Sequence, residues 1–333
     1  MIKVKIINRK KSMIVVTGAT GHLGNVLTRK LLENGENLKV VARSSTDLKP
    51  LEGLNVEIVE GDIQDVNSLI NAFHGAEIVY HLAGLVSILP DTDGRLNQVN
   101  VIGTRNVVDA CLKTGVKRLI YTSSIHALKE PPHGIPIDET CSFEPQYSRG
   151  GYDQSKARAS LEVLRGVDKG LDAVLVCPSG VIGPYDYRVS QMGQLFVNFL
   201  KGNQRAYIDG AYDFVDVRDV ADGIILASKY GRSGETYILS GETIEVHELM
   251  LYLEEITGMR APRFKMPLWF VKAVSKFSPI YYKFSKSKPL FTSYSIDVLN
   301  SNCKISSKKA RNELGFSPRP LKESIKDSVE WFK

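Results

Sequence analysis

Tyr152 and Lys156 stand four residues apart in the segment YDQSK, and Ser124 follows the apolar run KRLIYTS upstream of them. On a helix, that spacing puts the phenol and the ammonium on one face. Such a set suits carbonyl reduction. As hydride reaches a carbonyl carbon, negative charge grows on the oxygen, a Tyr gives it a proton, and a Ser hydroxyl supplies a second hydrogen bond. Lys156 favours the phenolate, and bringing a Tyr pKa from about 10 to about 7 takes roughly 4 kcal/mol. Spacing alone is weak, because a chain with 14 Tyr and 43 Lys or Arg gives about two such matches by chance. A second pair, Tyr282 and Lys286, has no strand-terminal Ser ahead of it and reads as incidental. The plain alternative for Tyr152 and Lys156 is an amphipathic helix face. It loses because a nucleotide loop, Ser124 and the Tyr/Lys pair follow in an order that builds one site.

That loop is TGATGHLG, with Gly18, Gly21 and Gly24, placed between an apolar run and a segment of helical period. Backbone amides around Gly18, Thr20, Gly21, His22, Leu23 and Gly24 converge there on an anion, aided by the helix dipole. A pyrophosphate fits, and glycine is needed for the turn, the phosphate approach and the packing of helix on strand. At the end of the next strand, where an NAD site places an acid against the ribose, stands Arg43. Its guanidinium, helped by Ser44 and Ser45, pairs with a 2′-phosphate and stacks on adenine. NADP (NADPH) is therefore the expected cofactor, with NAD as the alternative. Asp62 accepts from the adenine amino group or caps its own loop.

These groups need a scaffold. From Met13, short Val/Ile/Leu runs alternate with segments of helical period, the pattern of a parallel sheet buried on both faces. Strands are predicted at 13–17, 37–42, 55–60, 77–83, 117–123 and 171–177, and helices at 22–33, 66–73, 96–113 and 154–165. Asp65 is expected to cap the second helix, and Gly35, Gly75 and Gly115 to follow helix ends. The expected fold class is α/β, a doubly wound parallel (Rossmann) sheet with a smaller C-terminal substrate-binding lobe. The dinucleotide-binding domain spans 13–178, its sheet completed by about 214–240, while 179–213 and 241–333 form the lobe. Residues 1–12 read as a flexible basic extension.

Composition excludes several other classes. With 333 residues, 43% hydrophobic and 24% charged, the chain is ordinary globular protein, and its net charge is +6. No run reaches the roughly 18 apolar residues of a membrane span, and the first residues lack a secretory signal's apolar stretch, so a cytoplasmic protein is expected. Cys111, Cys141, Cys177 and Cys303 match no zinc or redox spacing, and no metal is expected. Between 258 and 311, twelve Lys or Arg face Asp297 alone, with Trp269 and six Phe or Tyr from Phe264 to Phe284. This reads as a packed cap with a solvated cationic face; no nucleic-acid partner is expected, and weak membrane-surface contact by 260–290 stays open. His81 reads as structural, whereas His126, two residues after Ser124, is placed to touch substrate.

TGATGHLG, GDI, HLAG, VNVIGTRNVV, YTSS, YDQSK and the Pro-Ser-Gly turn at 178–180 together resemble the landmarks of the extended short-chain dehydrogenase/reductases, over nearly the whole chain. The sequence is most similar to the branch of dihydroflavonol reductases, aldehyde reductases, 3β-hydroxysteroid dehydrogenases and hopanoid-associated epimerase-like proteins. The resemblance implies Ser124, Tyr152 and Lys156 as catalytic residues and decides for Ser124 over Ser123. It also implies Ile63, Ala83 and Gly84 along the cofactor and Pro178 to Val181 beside the nicotinamide. Helices 96–113 and 154–165 resemble those that pair between subunits, implying a homodimer. Where nucleotide-sugar members carry a phosphate-gripping Arg, this chain has Tyr212, which cannot clamp phosphate bidentately. With Tyr147, Tyr185, Tyr187, Met192 and Phe196 nearby, that departure points to an apolar or aromatic carbonyl or alcohol as the small-molecule substrate. The rivals are a nucleotide-sugar epimerase or dehydratase, a 3β-hydroxysteroid dehydrogenase-like enzyme, and a non-catalytic NAD(P)-sensing protein.

Overall fold

The computed structural model describes residues 12–275 and 293–333; most of the basic extension, the Tyr282/Lys286 pair and much of 260–290 lie outside them. Six parallel strands come first: β1 (Met13–Thr17), β2 (Asn37–Ala42), β3 (Glu57–Glu60), β4 (Ile78–His81), β5 (Arg118–Thr122) and β6 (Ala173–Pro178). Further along lie β7 (Gly180–Ile182), β8 (Ala206–Tyr207), β9 (Ala211–Asp216), β10 (Thr236–Leu239), β11 (Glu242–Glu245) and β12 (Phe264–Lys265). The main sheet runs β3-β2-β1-β4-β5-β6-β10. The order reverses direction between β1 and β4, and the carboxyl ends flanking that reversal are where an open α/β sheet binds ligands.

The helices are α1 (His22–Glu33), α2 (Val66–Phe73), α3 (Gly103–Thr114), α4 (Gly151–Asp168), α5 (Gln191–Leu200) and α6 (Val217–Tyr230). They continue with α7 (Val246–Thr257), α8 (Leu268–Ser275), α9 (Ser293–Leu299), α10 (Lys308–Leu314) and α11 (Leu321–Phe332). Strand alternation sends Ile14 and Val16 to a core shared with Leu27 of α1 and Ile224 of α6. Val15 points the other way, toward Phe73 of α2, Val107 of α3 and Val163 of α4. Continuous apolar strands are thus consumed on both faces, and truncating a fully buried side chain such as Leu27 to Ala costs about 2–5 kcal/mol. Asp65 caps α2 by accepting from the Asn67 amide, and Gly115 ends α3 in the left-handed conformation.

Two elements depart from expectation. The helix predicted over 96–113 is split, because Asn97–Ile102 is wound as a π-helix before α3 begins. In the 214–240 stretch only β10 joins the main sheet; β9 lies between β7 and β11 in a separate three-stranded sheet. Gly180 permits this, since a Cβ there would sit 2.8 Å from the Asp213 carbonyl oxygen. Against that small sheet, Phe196 of α5, Leu249 of α7 and Ile325 of α11 build a second core.

Candidate active site

Beyond β5 the chain is extended at Ser124, whose hydroxyl accepts from the His126 amide at 3.2 Å and caps a short helical turn at Ile125–Ala127. Ser123 points elsewhere: its hydroxyl is 2.7 Å from that of Ser160 on α4. The two serines are thereby separated, and Ser124 faces Tyr152. Tyr152 lies in the first turn of α4, where burial pushes its phenol up to about 12 and a hydrogen bond with Ser124 opposes that push. Lys156, one turn on, donates to the Thr122 carbonyl oxygen at 2.7 Å and lies 4.6 Å above the Tyr121 ring. Burial pulls its ammonium down to about 7.

The expected lowering of Tyr152 by Lys156 is therefore not what this geometry gives. Desolvation outweighs the opposing Ser124 contact, and the ammonium is directed at a backbone carbonyl instead of the phenol. A phenol held in its protonated form is still suited to giving a proton. Asn100, which the sequence reading passed over, braces the arrangement from the π-helical turn. Its amide accepts from Leu85 N at 2.7 Å and donates to Leu85 O at 2.9 Å and to Ser155 Oγ at 2.8 Å, and Ser155 donates to the Tyr152 carbonyl at 2.7 Å. The one available signal was the change of helical period, which no composition rule reveals.

The nucleotide loop is built as its glycines require. Gly18 has φ of +78°, and a Cβ there would lie 2.5 Å from Ala83 N; at Gly24 it would lie 2.1 Å from Gly18 O. Gly21 caps α1 without a side-chain hydrogen bond, and no acid stands in the first turn, so the helix start is an open anion seat. Thr20 is held by an unforeseen residue, Arg188, whose guanidinium donates to its hydroxyl at 3.0 Å. His22 Nε2 lies 2.9 Å from Pro184 O, and Leu23 packs on the core beneath.

Arg43 follows β2, exposed and with no partner for its guanidinium among the described residues. Asp62 caps its own loop, accepting from Gln64 N at 2.9 Å, and Ile63 fills the space over Gly103. Ala83 and Gly84 lie beside Gly18 and Asn100 respectively; Pro178 pairs with Leu239, and Val181 lies in β7. At the carboxyl end of β5, the buried Thr122 hydroxyl has no hydrogen-bond partner. An orphaned hydroxyl and a glycine cradle facing one edge fit a dinucleotide. Gly18 to Gly24 would hold its pyrophosphate and Lys156 and Tyr152 the reactive end.

Tyr152 opens into a cavity of about 530 Å³. Leu128, Ile137, Met192, Leu195, Met250 and Val298 give it apolar walls, and His126, Tyr147 and Tyr212 also line it. Burial pushes the His126 imidazole down. Tyr187 does not reach the cavity: it packs edge-on against Trp331 at 5.0 Å, Tyr185 lies tilted on the same ring at 5.3 Å, and Phe196 belongs to the lobe's core. The lining cations are paired, Lys129 with Glu144 at 3.1 Å and Arg149 with Glu130. His81 is structural, buried between the hydroxyls of Thr17 at 2.8 Å and Thr104 at 3.0 Å, with burial pulling its pKa down to about 3.

Fold and site together define an NAD(P)-dependent oxidoreductase of the extended short-chain dehydrogenase/reductase type. The sequence profile of the NAD dependent epimerase/dehydratase family matches residues 14–240, and the chain belongs to that family. It is similar to sterol demethylase protein B of Methylococcus capsulatus, 36% identical over 321 residues that cover 96% of this chain and 98% of that one. It also resembles 3beta-hydroxysteroid-dehydrogenase/decarboxylase isoform 1 of Arabidopsis thaliana, 31% identical over 83% of this chain and 67% of the relative. Among solved structures, that of gox2253 superposes with a TM-score of 0.85 at 34% identity, covering 97% of this chain and 98% of the other.

Proposed function

We propose that the protein is an NADPH-dependent reductase of a ketone or aldehyde carried on a bulky apolar, polycyclic-sized molecule. The observation that carries this is the Tyr152 phenol, facing Ser124 and opening into an apolar cavity of about 530 Å³. The reduced nicotinamide supplies hydride when bound. Ser124 and Tyr152 orient the substrate oxygen, and Tyr152 gives it a proton. Lys156, near 7, takes up or releases a proton close to neutrality. Arg43, exposed and unpartnered at the end of β2, supports a preference for the 2′-phosphate.

Two features disfavour a nucleotide-sugar substrate. Tyr212 stacks on Phe214 at 5.1 Å where a diphosphate clamp would be needed, and the cations lining the cavity are already satisfied by Glu130 and Glu144. The sterol-related names of two relatives support a fused-ring substrate. The test is turnover by purified protein, with NADPH and NADH, against steroid ketones, flavonoids, simple aldehydes and nucleotide sugars. Stoichiometric NADPH oxidation with a ring ketone is the expected result. Conversion of a nucleotide sugar without net cofactor consumption would overturn the reading.

A further inference from the structure

Apolar side chains that could have been buried are instead turned outward along one short stretch of the lobe, 264–270. Trp269 of α8 is 72% exposed, Phe270 beside it 46%, and Phe264 of β12 65%. The two α8 rings meet edge-on at 5.9 Å. The same helix is firmly seated on its other side, where Val271 is buried with Ile208 and Ile296. The outward rings of α8 are therefore fixed by packing, and exposed aromatics that meet in this way mark a contact surface.

This surface shares a wall with the cavity. β12 pairs with β8, Phe264 opposite Ala206 and Lys265 opposite Tyr207, and Met266 N donates to Tyr207 O at 2.9 Å. Tyr207 and Ile208 line the cavity from within, and so do Tyr294, Val298 and Leu299 of α9, whose Ile296 packs on α8. One thin layer of chain thus carries apolar rings on its outside and the substrate chamber on its inside.

Charge favours one partner. The stretch 259–275 that carries the rings holds Arg260, Arg263, Lys265 and Lys272 against no acid. Close to the rings, Arg263 and Lys265 are held only by exposed pairs with Glu254 at 3.0 Å and Asp209 at 2.5 Å, which cost little to exchange for phosphates. Trp and Phe amid Lys and Arg is the composition of an element that lies in the headgroup region of an anionic bilayer. A bulky apolar substrate, as argued under Proposed function and on which this step rests, is stored in a bilayer and not in water.

We propose that the face made by Phe264, Trp269 and Phe270 docks on the surface of an anionic phospholipid bilayer, and that the substrate enters the cavity from there. Among the described residues, no helix is long and apolar enough to cross a membrane, so the contact is a surface one. The chain has two Trp, and Trp331 is packed against Tyr185 and Tyr187, so a change of indole emission on vesicle contact reports Trp269.

The experiment mixes the cofactor-free protein with vesicles of phosphatidylcholine alone or containing phosphatidylserine, following Trp emission and flotation. The expected result is a blue shift and flotation with the anionic vesicles, both weakened by salt. Trp269→Phe should float and lose the shift. Trp269→Ser combined with Phe270→Ser should partition at least about tenfold more weakly. It should also raise KM for a vesicle-dissolved ketone while leaving turnover of a short water-soluble carbonyl unchanged. Absence of flotation with anionic vesicles overturns the proposal, as does self-association through this face without vesicle binding. Neither result touches the reductase reading, which is scored on the soluble carbonyl.

Discussion

The Arg188 guanidinium donates to the Thr20 hydroxyl at 3.0 Å, joining the loop after β7 to the glycine turn of β1 across 168 positions of sequence. Tyr185 and Val189, on either side, have positive φ of 68° and 49°, so this loop is held in a conformation that non-glycine residues seldom adopt. Packing of Tyr185 on Trp331 and the Asn25 amide bonded to the Tyr185 carbonyl at 3.2 Å help keep it there. Arg188 therefore stands over the seat that the first turn of α1 offers to phosphate. Arg188→Ala should raise KM for the cofactor about tenfold with a smaller change in kcat, and Arg188→Lys should recover part of the loss. Titration of nicotinamide fluorescence checks the affinity directly.

In the proposed mechanism, Tyr152→Phe removes the proton donor while keeping the ring. A fall in kcat of about 10²–10⁴ is expected, with cofactor affinity unchanged. If kcat falls less than about threefold, the proton comes from another group.

Lys156 gives a stability signature. Its folded pKa is about 7 against an ordinary 10.5, because burial penalises the ammonium. Between those values the unfolded chain binds more protons than the native one, so this residue adds stability as pH rises through the window and withdraws it as pH falls through about 7. Lys156→Met should lack that rise. Urea denaturation of the cofactor-free protein from pH 6 to 10, wild type against variant, reads the difference.

On the proposed reading, in which the guanidinium pairs with the 2′-phosphate, Arg43→Ala should lower kcat/KM for NADPH by about 10–100-fold and change that for NADH much less. Equal losses with both cofactors would assign Arg43 to a general stacking role.

Tyr294 donates to Asp153 at 2.5 Å, tying α9 to the residue beside Tyr152. Burial holds the Asp153 carboxyl above the usual carboxylate range, while the Tyr294 hydrogen bond pulls it down. Tyr294→Phe strands that carboxyl and should cost about 1–3 kcal/mol of stability, seen as a lowered midpoint in denaturant.

What could be read from the chain alone follows from how locally each feature is encoded. Val15 and its neighbours announce a buried parallel strand because every residue of the run is apolar, and Gly18, Gly21 and Gly24 announce the loop because no other residue fits. Ser124, Tyr152 and Lys156 meet at the end of β5 because a strand terminus and a helix turn are both short-range patterns. Arg188 and Asn100 escaped notice for the opposite reason. The first acts on a residue far away in sequence, and the second depends on a π-helical turn that shifts which side chains share a face. Tyr187 was expected at the cavity and packs on Trp331 instead, a choice settled by α11 at the far end of the chain. Burial likewise reversed the direction expected for Tyr152, since desolvation depends on everything packed around the phenol.

The cavity draws its walls from stretches scattered between Val86 and Ile305, whereas Ser124, Tyr152 and Lys156 sit within a span of 33 residues hung on β5 and α4. Most of the cavity wall therefore lies outside the span that carries those three residues, although His126, Leu128, Ile137 and Tyr147 belong to both. Grafting only the 298–305 stretch from a relative with another preference, which leaves Tyr294 on Asp153, should retune which molecule is accepted while turnover of a small carbonyl carries on, so new specificities are accessible without redesigning the engine.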